Sequence, residues 1–384
     1  RQEVNEVMET GILFRYNHDA ERKGIWKAAT FEKEFAAYHG VKHAQLCTSG
    51  STAVSIALAS CGIGAGDEVI VPPFTYIATV EAVLLAGAVP VFSEVDETLC
   101  LSVEGIKKSI TPNTKAVVVV HMCGAMAMIK QIKEVCDQHN IILIEDTAQA
   151  LAASLDGKMA GTFGEVGSFS FDFFKIITAG EGGAVITNSS EKYDVMHQWA
   201  DHGHDHIGDN RGAEQHPILG FNFRISELHA AVGLAQFRKI DSILKIQRNN
   251  KKVLKAALAE FPEISFRNQP DENGDSATFL SFLLPDAPTA LRISNEMANA
   301  GVGGAYWYNN NFHFIKNWQH LKDLKSPGKL PVSLFKHQDY NNLDLGKTND
   351  VISRLISFQV KVGWTETQLN EVRDKLYGVF KSFM

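Results

Sequence analysis

Short apolar runs alternate with segments of helical period between residues 44 and 190. Stretches 68–71, 89–92, 117–120, 141–144 and 184–187 are β-branched and largely apolar, as strands covered on both faces should be. Helical spacing occupies 52–60, 75–86, 104–110 and 130–139 between them. This alternation predicts a mostly parallel, doubly wound sheet, whose ligands bind beyond the carboxyl ends of its strands.

Further on the texture changes. One long helix is expected over 225–248 and another over 253–260. A strand at 277–284, a helix at 291–300, a turn-rich aromatic stretch at 306–330 and a closing helix at 365–380 follow. The fold class is therefore α/β, with a large sheet domain over 1–240 and a smaller α+β domain over 241–384. Residues 1–11 read as an amphipathic helix and not as a signal peptide. Numbering begins at Arg1, so an initiator methionine and a few residues are expected to precede it.

Composition narrows the function. Lys and Arg number 37 against 44 Asp and Glu, a net charge of −7, and no basic block exists to meet a nucleic-acid backbone. No apolar run reaches the roughly 18 residues of a membrane span. Five scattered cysteines without a CxxC pair suit buried thiols in a reducing cytoplasm. The histidines of His202-Gly-His204-Asp-His206 resemble metal ligands in spacing, but no metal is expected.

Three segments carry candidate chemistry. The apolar run 141–144 leads straight into Glu145 and Asp146, and an acid there can keep a pyridine nitrogen protonated. Read alone, Asp146 is equally a helix N-cap. Lys175 stands in the aromatic run Phe171-Asp-Phe-Phe-Lys175, beyond an expected strand at 167–171 and ahead of glycines 180, 182 and 183. Burial there would favour a neutral amine able to form a Schiff base, whereas the plainer reading is a snorkelling lysine. Thr48-Ser49-Gly50-Ser51-Thr52 opens a helix, where free N–H groups and the dipole form an anion site or simply a cap. Together, and in this order, they are the parts of a pyridoxal-phosphate site.

Whole segments then resemble the DegT/DnrJ/EryC1/StrS sugar aminotransferases. They are Phe31-Glu-Lys-Glu-Phe-Ala-Ala-Tyr-His-Gly40, Pro72-Pro-Phe-Thr-Tyr76-Ile-Ala-Thr, Glu145-Asp-Thr-Ala-Gln149, Ser168-Phe-Ser170-Phe with Lys175 and Gly180-Glu-Gly-Gly183, and Gly220-Phe-Asn222-Phe-Arg224. The resemblance implies the aspartate-aminotransferase fold (fold type I) and pyridoxal 5'-phosphate as cofactor. It implies that Gly50 and Ser51, helped by Ser170, bind the phosphate and that Tyr76 stacks on the ring. Asp146 would pair the ring nitrogen and Gln149 would face the ring hydroxyl. Asn222 would reach the neighbouring subunit's phosphate, which implies a homodimer with shared sites. A dehydratase branch carries histidine in place of the lysine, so Lys175 implies amino transfer, with glutamate as donor.

Segments 14–27, 171–175 and 306–313 depart from typical nucleotide-sugar members. They resemble the branch that aminates C8 of oxidised 3-deoxy-octulosonate (Kdo) for lipopolysaccharide. A sugar acid would suit Arg15, Lys27 or Arg224 as carboxylate partner, with Tyr16 beside them. A nucleotide-linked keto-sugar aminotransferase and a cofactor-binding regulator without turnover remain the alternatives.

Overall fold

The computed structural model describes residues 1–208, 210–334 and 339–383. Its strands are β1 (His43–Cys47), β2 (Glu68–Val71), β3 (Val89–Phe92), β4 (Thr114–Val120) and β5 (Ile142–Asp146). A small hairpin, β6 (Ser154–Leu155) and β7 (Lys158–Met159), precedes β8 (Val166–Ser170) and β9 (Gly183–Thr187). The C-terminal part holds β10 (Ser265–Phe266), β11 (Phe279–Leu283), β12 (Ala305–Tyr306) and β13 (Leu355–Gln359).

Seven strands form the main sheet in the order β1-β9-β8-β5-β4-β2-β3. Pairing is parallel through β8, β5, β4, β2 and β3, while β9 runs antiparallel to both of its neighbours. The expected parallel sheet is therefore present, with one reversed strand and an additional member, β1, that the apolar pattern did not mark. Helices cover both faces, and the strand interiors are buried along β2, β8 and β9. The second sheet, ordered β10-β11-β13-β12, is antiparallel throughout. It packs against helices Ile240–Leu258, Ala287–Asn299 and Glu366–Phe383 around Phe282, Ile356 and Phe380.

Several helix bounds differ from the pattern. The segment expected as helix from 75 begins only at Ala78, because Thr75 and Ile77 donate backbone N–H groups to His313 and Phe312 carbonyls. Tyr76 thus lies on a loop, not on a helix. The long stretch from 225 breaks at Arg238–Lys239, between helices Glu227–Phe237 and Ile240–Leu258, and the second runs unbroken through 249–252. Apolar spacing alone does not register a break that keeps the buried stripe in phase. The aromatic stretch beyond Tyr306 packs inward, with Trp307, Phe314 and Trp318 buried in the core of the main sheet. All five cysteines are buried and unpaired. Among the described residues no helix is long and apolar enough to cross a membrane.

Candidate active site

A cavity of about 1120 Å³ opens beyond the carboxyl ends of β1, β2, β4, β5 and β8. Its far wall comes from Thr278, Phe279, Trp307, His313 and the 359–363 segment after β13. Parallel strands end together, so residues far apart in sequence meet at this edge.

One end is a helix N-terminus. Ser49 caps helix Gly50–Ser60, accepting from Thr52 N–H while the Thr52 hydroxyl accepts from Ser49 N–H. Gly50 and Ser51, in the first turn of this helix, line the cavity, and the free N–H groups of a helix N-terminus favour an anion. Gly50 is needed for closeness: a Cβ there would lie 2.6 Å from Ser170 Cβ.

Asp146 closes β5 and is 5% exposed. Its carboxylate accepts from the Thr79 hydroxyl at 2.7 Å and from Ala148 N–H at 3.1 Å. Burial pushes its pKa up, and these bonds and the nearby Lys175 charge only oppose that. A buried carboxylate in this condition calls for a cationic partner, which a protonated ring nitrogen provides.

Lys175 lies in the loop joining β8 to β9 and lines the same cavity. Burial lowers its pKa, with Asp146 and Asp172 pulling the other way. Its Nζ is 6.0 Å from the centroid of the Tyr76 ring. The neighbouring Phe173 and Phe174 line the same cavity although their side chains are largely exposed. Gln149 also faces the cavity, with its Oε1 accepting from Cys123 N–H at 3.0 Å.

The cavity thus gathers Gly50, Ser51, Tyr76, Asp146, Gln149, Ser170 and Lys175. It also holds two residues that sequence reasoning passed over. Thr79 lies in the quoted Pro72–Thr79 segment, and its position one turn after Tyr76 was the available signal. His313 packs on Tyr76 at 5.4 Å and on Trp307 at 4.8 Å. Burial and the Lys175 charge hold its pKa down, at about 4. Its Nδ1–H donates to Asn310 Oδ1, which leaves Nε2 as a bare acceptor. Nothing in the sequence marked it beyond its aromatic surroundings.

Five expected residues lie elsewhere. Asn222 is exposed and bridges Asp201 in antiparallel fashion. Arg15, Tyr16, Lys27 and Arg224 were expected to meet a substrate carboxylate, and here the structure departs from that reading. Arg15 is 6% exposed and ion-paired with buried Glu32. Tyr16 is packed against His197 and His206. Lys27 joins Glu3 and Glu6, and Arg224 joins Asp201, which Arg211 also grips. Each charge already has a carboxylate of its own chain. Among the described residues no cluster of three or more His, Cys, Asp and Glu is arranged for a metal ion.

Comparison with known proteins identifies the family. Residues 2–377 match the DegT/DnrJ/EryC1/StrS aminotransferase family. The chain is 41% identical over 263 residues to the GDP-perosamine synthase of Vibrio cholerae, covering 68% of each. It is 39% identical over 295 residues to the L-glutamine:2-deoxy-scyllo-inosose aminotransferase of Streptomyces kanamyceticus, covering 74% of this chain and 68% of that one. Among solved structures, an aminotransferase from Psychrobacter cryohalolentis superposes with a TM-score of 0.85 at 26% identity, covering 99% of this chain and 96% of that one. A lysine, a buried carboxylate and a helix N-terminus stand around one cavity of this chain. The chain belongs to the DegT/DnrJ/EryC1/StrS family and is a pyridoxal-phosphate-dependent aminotransferase.

Proposed function

We propose that this enzyme carries an amino group from glutamate to a sugar carbonyl, C8 of 8-oxo-3-deoxy-manno-octulosonate, in making 8-amino-Kdo for lipopolysaccharide. The observation that carries the amino-transfer part is the convergence of Lys175, Asp146 and the Gly50 helix end on one cavity. In this reading Gly50 and Ser51 N–H groups and the Ser170 hydroxyl bind the phosphate, and Tyr76 covers the ring face. Pyridoxal phosphate, when bound, supplies a carbonyl that takes up the amine and a ring that withdraws electrons from the carbon being deprotonated. Asp146 holds a proton on the ring nitrogen. Gln149 donates to the ring oxygen. Lys175 holds the cofactor covalently at rest and afterwards moves the proton as a base through Nζ, for which its lowered pKa suits it. Two copies share their sites, each lending Asn222 to the other.

The charge of the cavity supports a sugar acid as acceptor. With Lys175 and Asp146 engaged by the cofactor, the cavity lining carries Lys361 as the cation beside Asp172 and Glu181. A single carboxylate is easier to satisfy there than the two charges of a nucleotide diphosphate, and Lys361 takes over the pairing role that Arg15 and Lys27 do not fill. The likeness to GDP-perosamine synthase favours the second reading, a nucleotide-linked keto-sugar as acceptor.

A substrate panel decides between them. Purified enzyme loaded with pyridoxal phosphate is given glutamate with either 8-oxo-Kdo or a GDP-linked keto-sugar, and 2-oxoglutarate release is followed. Preferred turnover of the sugar acid is expected. Turnover of the nucleotide sugar alone would overturn the acceptor assignment, and no turnover with any donor would overturn both readings.

A further inference from the structure

Gln149 is held from outside the cavity, and the holding group is itself clamped. Its Oε1 faces the backbone N–H of Cys123, a group that can only donate, so the atom there is the oxygen and the donor left to this cavity-lining side chain is the amide nitrogen. Cys123 adopts the left-handed conformation (φ 54°, ψ 36°) inside the turn Met122–Gly124, an uncommon state for a residue with a side chain. Such a conformation persists only where the surroundings fix it.

Those surroundings belong to the segment that leads from β10 into β11. On one side of Cys123, the carbonyl of Met122 accepts from Arg267 Nη1 at 2.5 Å. On the other, the carbonyl of Gly124 accepts both the N–H and the hydroxyl of Ser276, each at 2.9 Å. Gly124 has φ +87°, and a Cβ there would lie 2.4 Å from the Thr278 hydroxyl oxygen, so the turn and this segment are in close contact. Arg267 is 4% exposed, and its guanidinium is spent on the carbonyls of Met122 and Thr98, with the Cys100 sulfur at 3.8 Å. A buried guanidinium engaged with backbone carbonyls is costly unless it fixes something.

We infer that Arg267 is a positioning residue for the cofactor site, acting through the Met122–Gly124 turn to aim the Gln149 amide at the cofactor's ring oxygen. The inference rests on the role proposed above for Gln149. It links the C-terminal part of the chain to the electronics of the cofactor without Arg267 touching the cavity.

The test reads the cofactor's spectrum and not its turnover. A donor on the ring oxygen favours that oxygen's anionic form, so losing it raises the pH midpoint of the visible absorbance of the loaded protein. Gln149→Ala and Arg267→Met are each expected to raise the midpoint, by roughly half a pH unit for one hydrogen bond. The double variant should rise no further than Gln149→Ala alone. Ser276→Ala, which removes one of the two contacts on the Gly124 carbonyl, should shift it the same way by less, and it decides the matter if Arg267→Met does not fold. A folded, loaded Arg267→Met with the wild-type midpoint would overturn the inference, as would an equal extra shift in the Gln149→Ala background. If wild type takes up no cofactor, or Gln149→Ala leaves the midpoint unmoved, the reading of Gln149 itself is overturned.

Discussion

The Thr79 hydroxyl donates to the Asp146 carboxylate at 2.7 Å, across a gap of 67 residues in sequence. Burial drives the Asp146 pKa up, and this bond is the largest single influence acting against it. Thr79 therefore opposes the effect of burial and favours the charged form of Asp146.

Thr79→Val should weaken cofactor binding about tenfold, the scale of one hydrogen bond to a charged group. Thr79→Ser should restore it. Fluorescence titration of the protein with pyridoxal phosphate measures both, and wild-type affinity in Thr79→Val would remove Thr79 from the site.

Lys175→Ala should lose the absorbance of the covalently held cofactor. Turnover should fall by about 10²–10⁴-fold, the usual contribution of a proton-transferring group. Reduction with borohydride followed by peptide mapping checks the attachment, and label recovered on another lysine would refute it.

The Arg15–Glu32 pair is buried at both ends, so removing one partner strands a charge. Arg15→Met should destabilise the protein by about 3–5 kcal/mol, while the double change with Glu32→Gln should recover much of the loss. Urea denaturation gives the energies. Should Arg15→Met instead raise KM for the sugar acid at unchanged stability, the expected substrate role of Arg15 would stand.

His39 packs against Phe35 and Phe169 at tilted angles, and burial holds its pKa down, to about 4. It is neutral when folded and titrates near 6.5 when unfolded, so the unfolded state binds more protons between these values. The stability it contributes is complete above pH 6.5 and is lost as pH falls toward 4. The loss amounts to roughly 3 kcal/mol at about 1.4 kcal/mol per unit. Thermal melts across this range should show a shallower decline in His39→Phe than in wild type.

The parallel strands were readable because they are apolar on both faces, and Asp146 because it follows such a run. Gly50 was marked instead by the hydroxyl-rich helix start at 48–52, and Lys175 by its aromatic run and the glycines after it. Strand β1 was not readable, since Gln45 sits buried at its centre. The partners of the cations in segment 14–27 were hidden for a related reason. Arg15 and Lys27 look free in sequence, but their partners Glu32 and Glu3 lie in separate helices, and only the fold brings them together. His313 and Cys123 act through contacts with residues hundreds or tens of positions away, and no local period encodes that.

The reversal of β9 has a consequence for how such an enzyme can change. Because β8 and β9 are antiparallel neighbours, residues 171–182 leave and re-enter the sheet at the same rim. A parallel partner would have required a crossover to the opposite end. The lysine therefore rides on a detachable lip whose two anchors, Ser170 and Gly183, face each other. Asp172, Phe173 and Phe174 can be exchanged without disturbing the strands beneath. Selectivity can thus drift by replacing that lip alone, while the anchoring edge stays as it is.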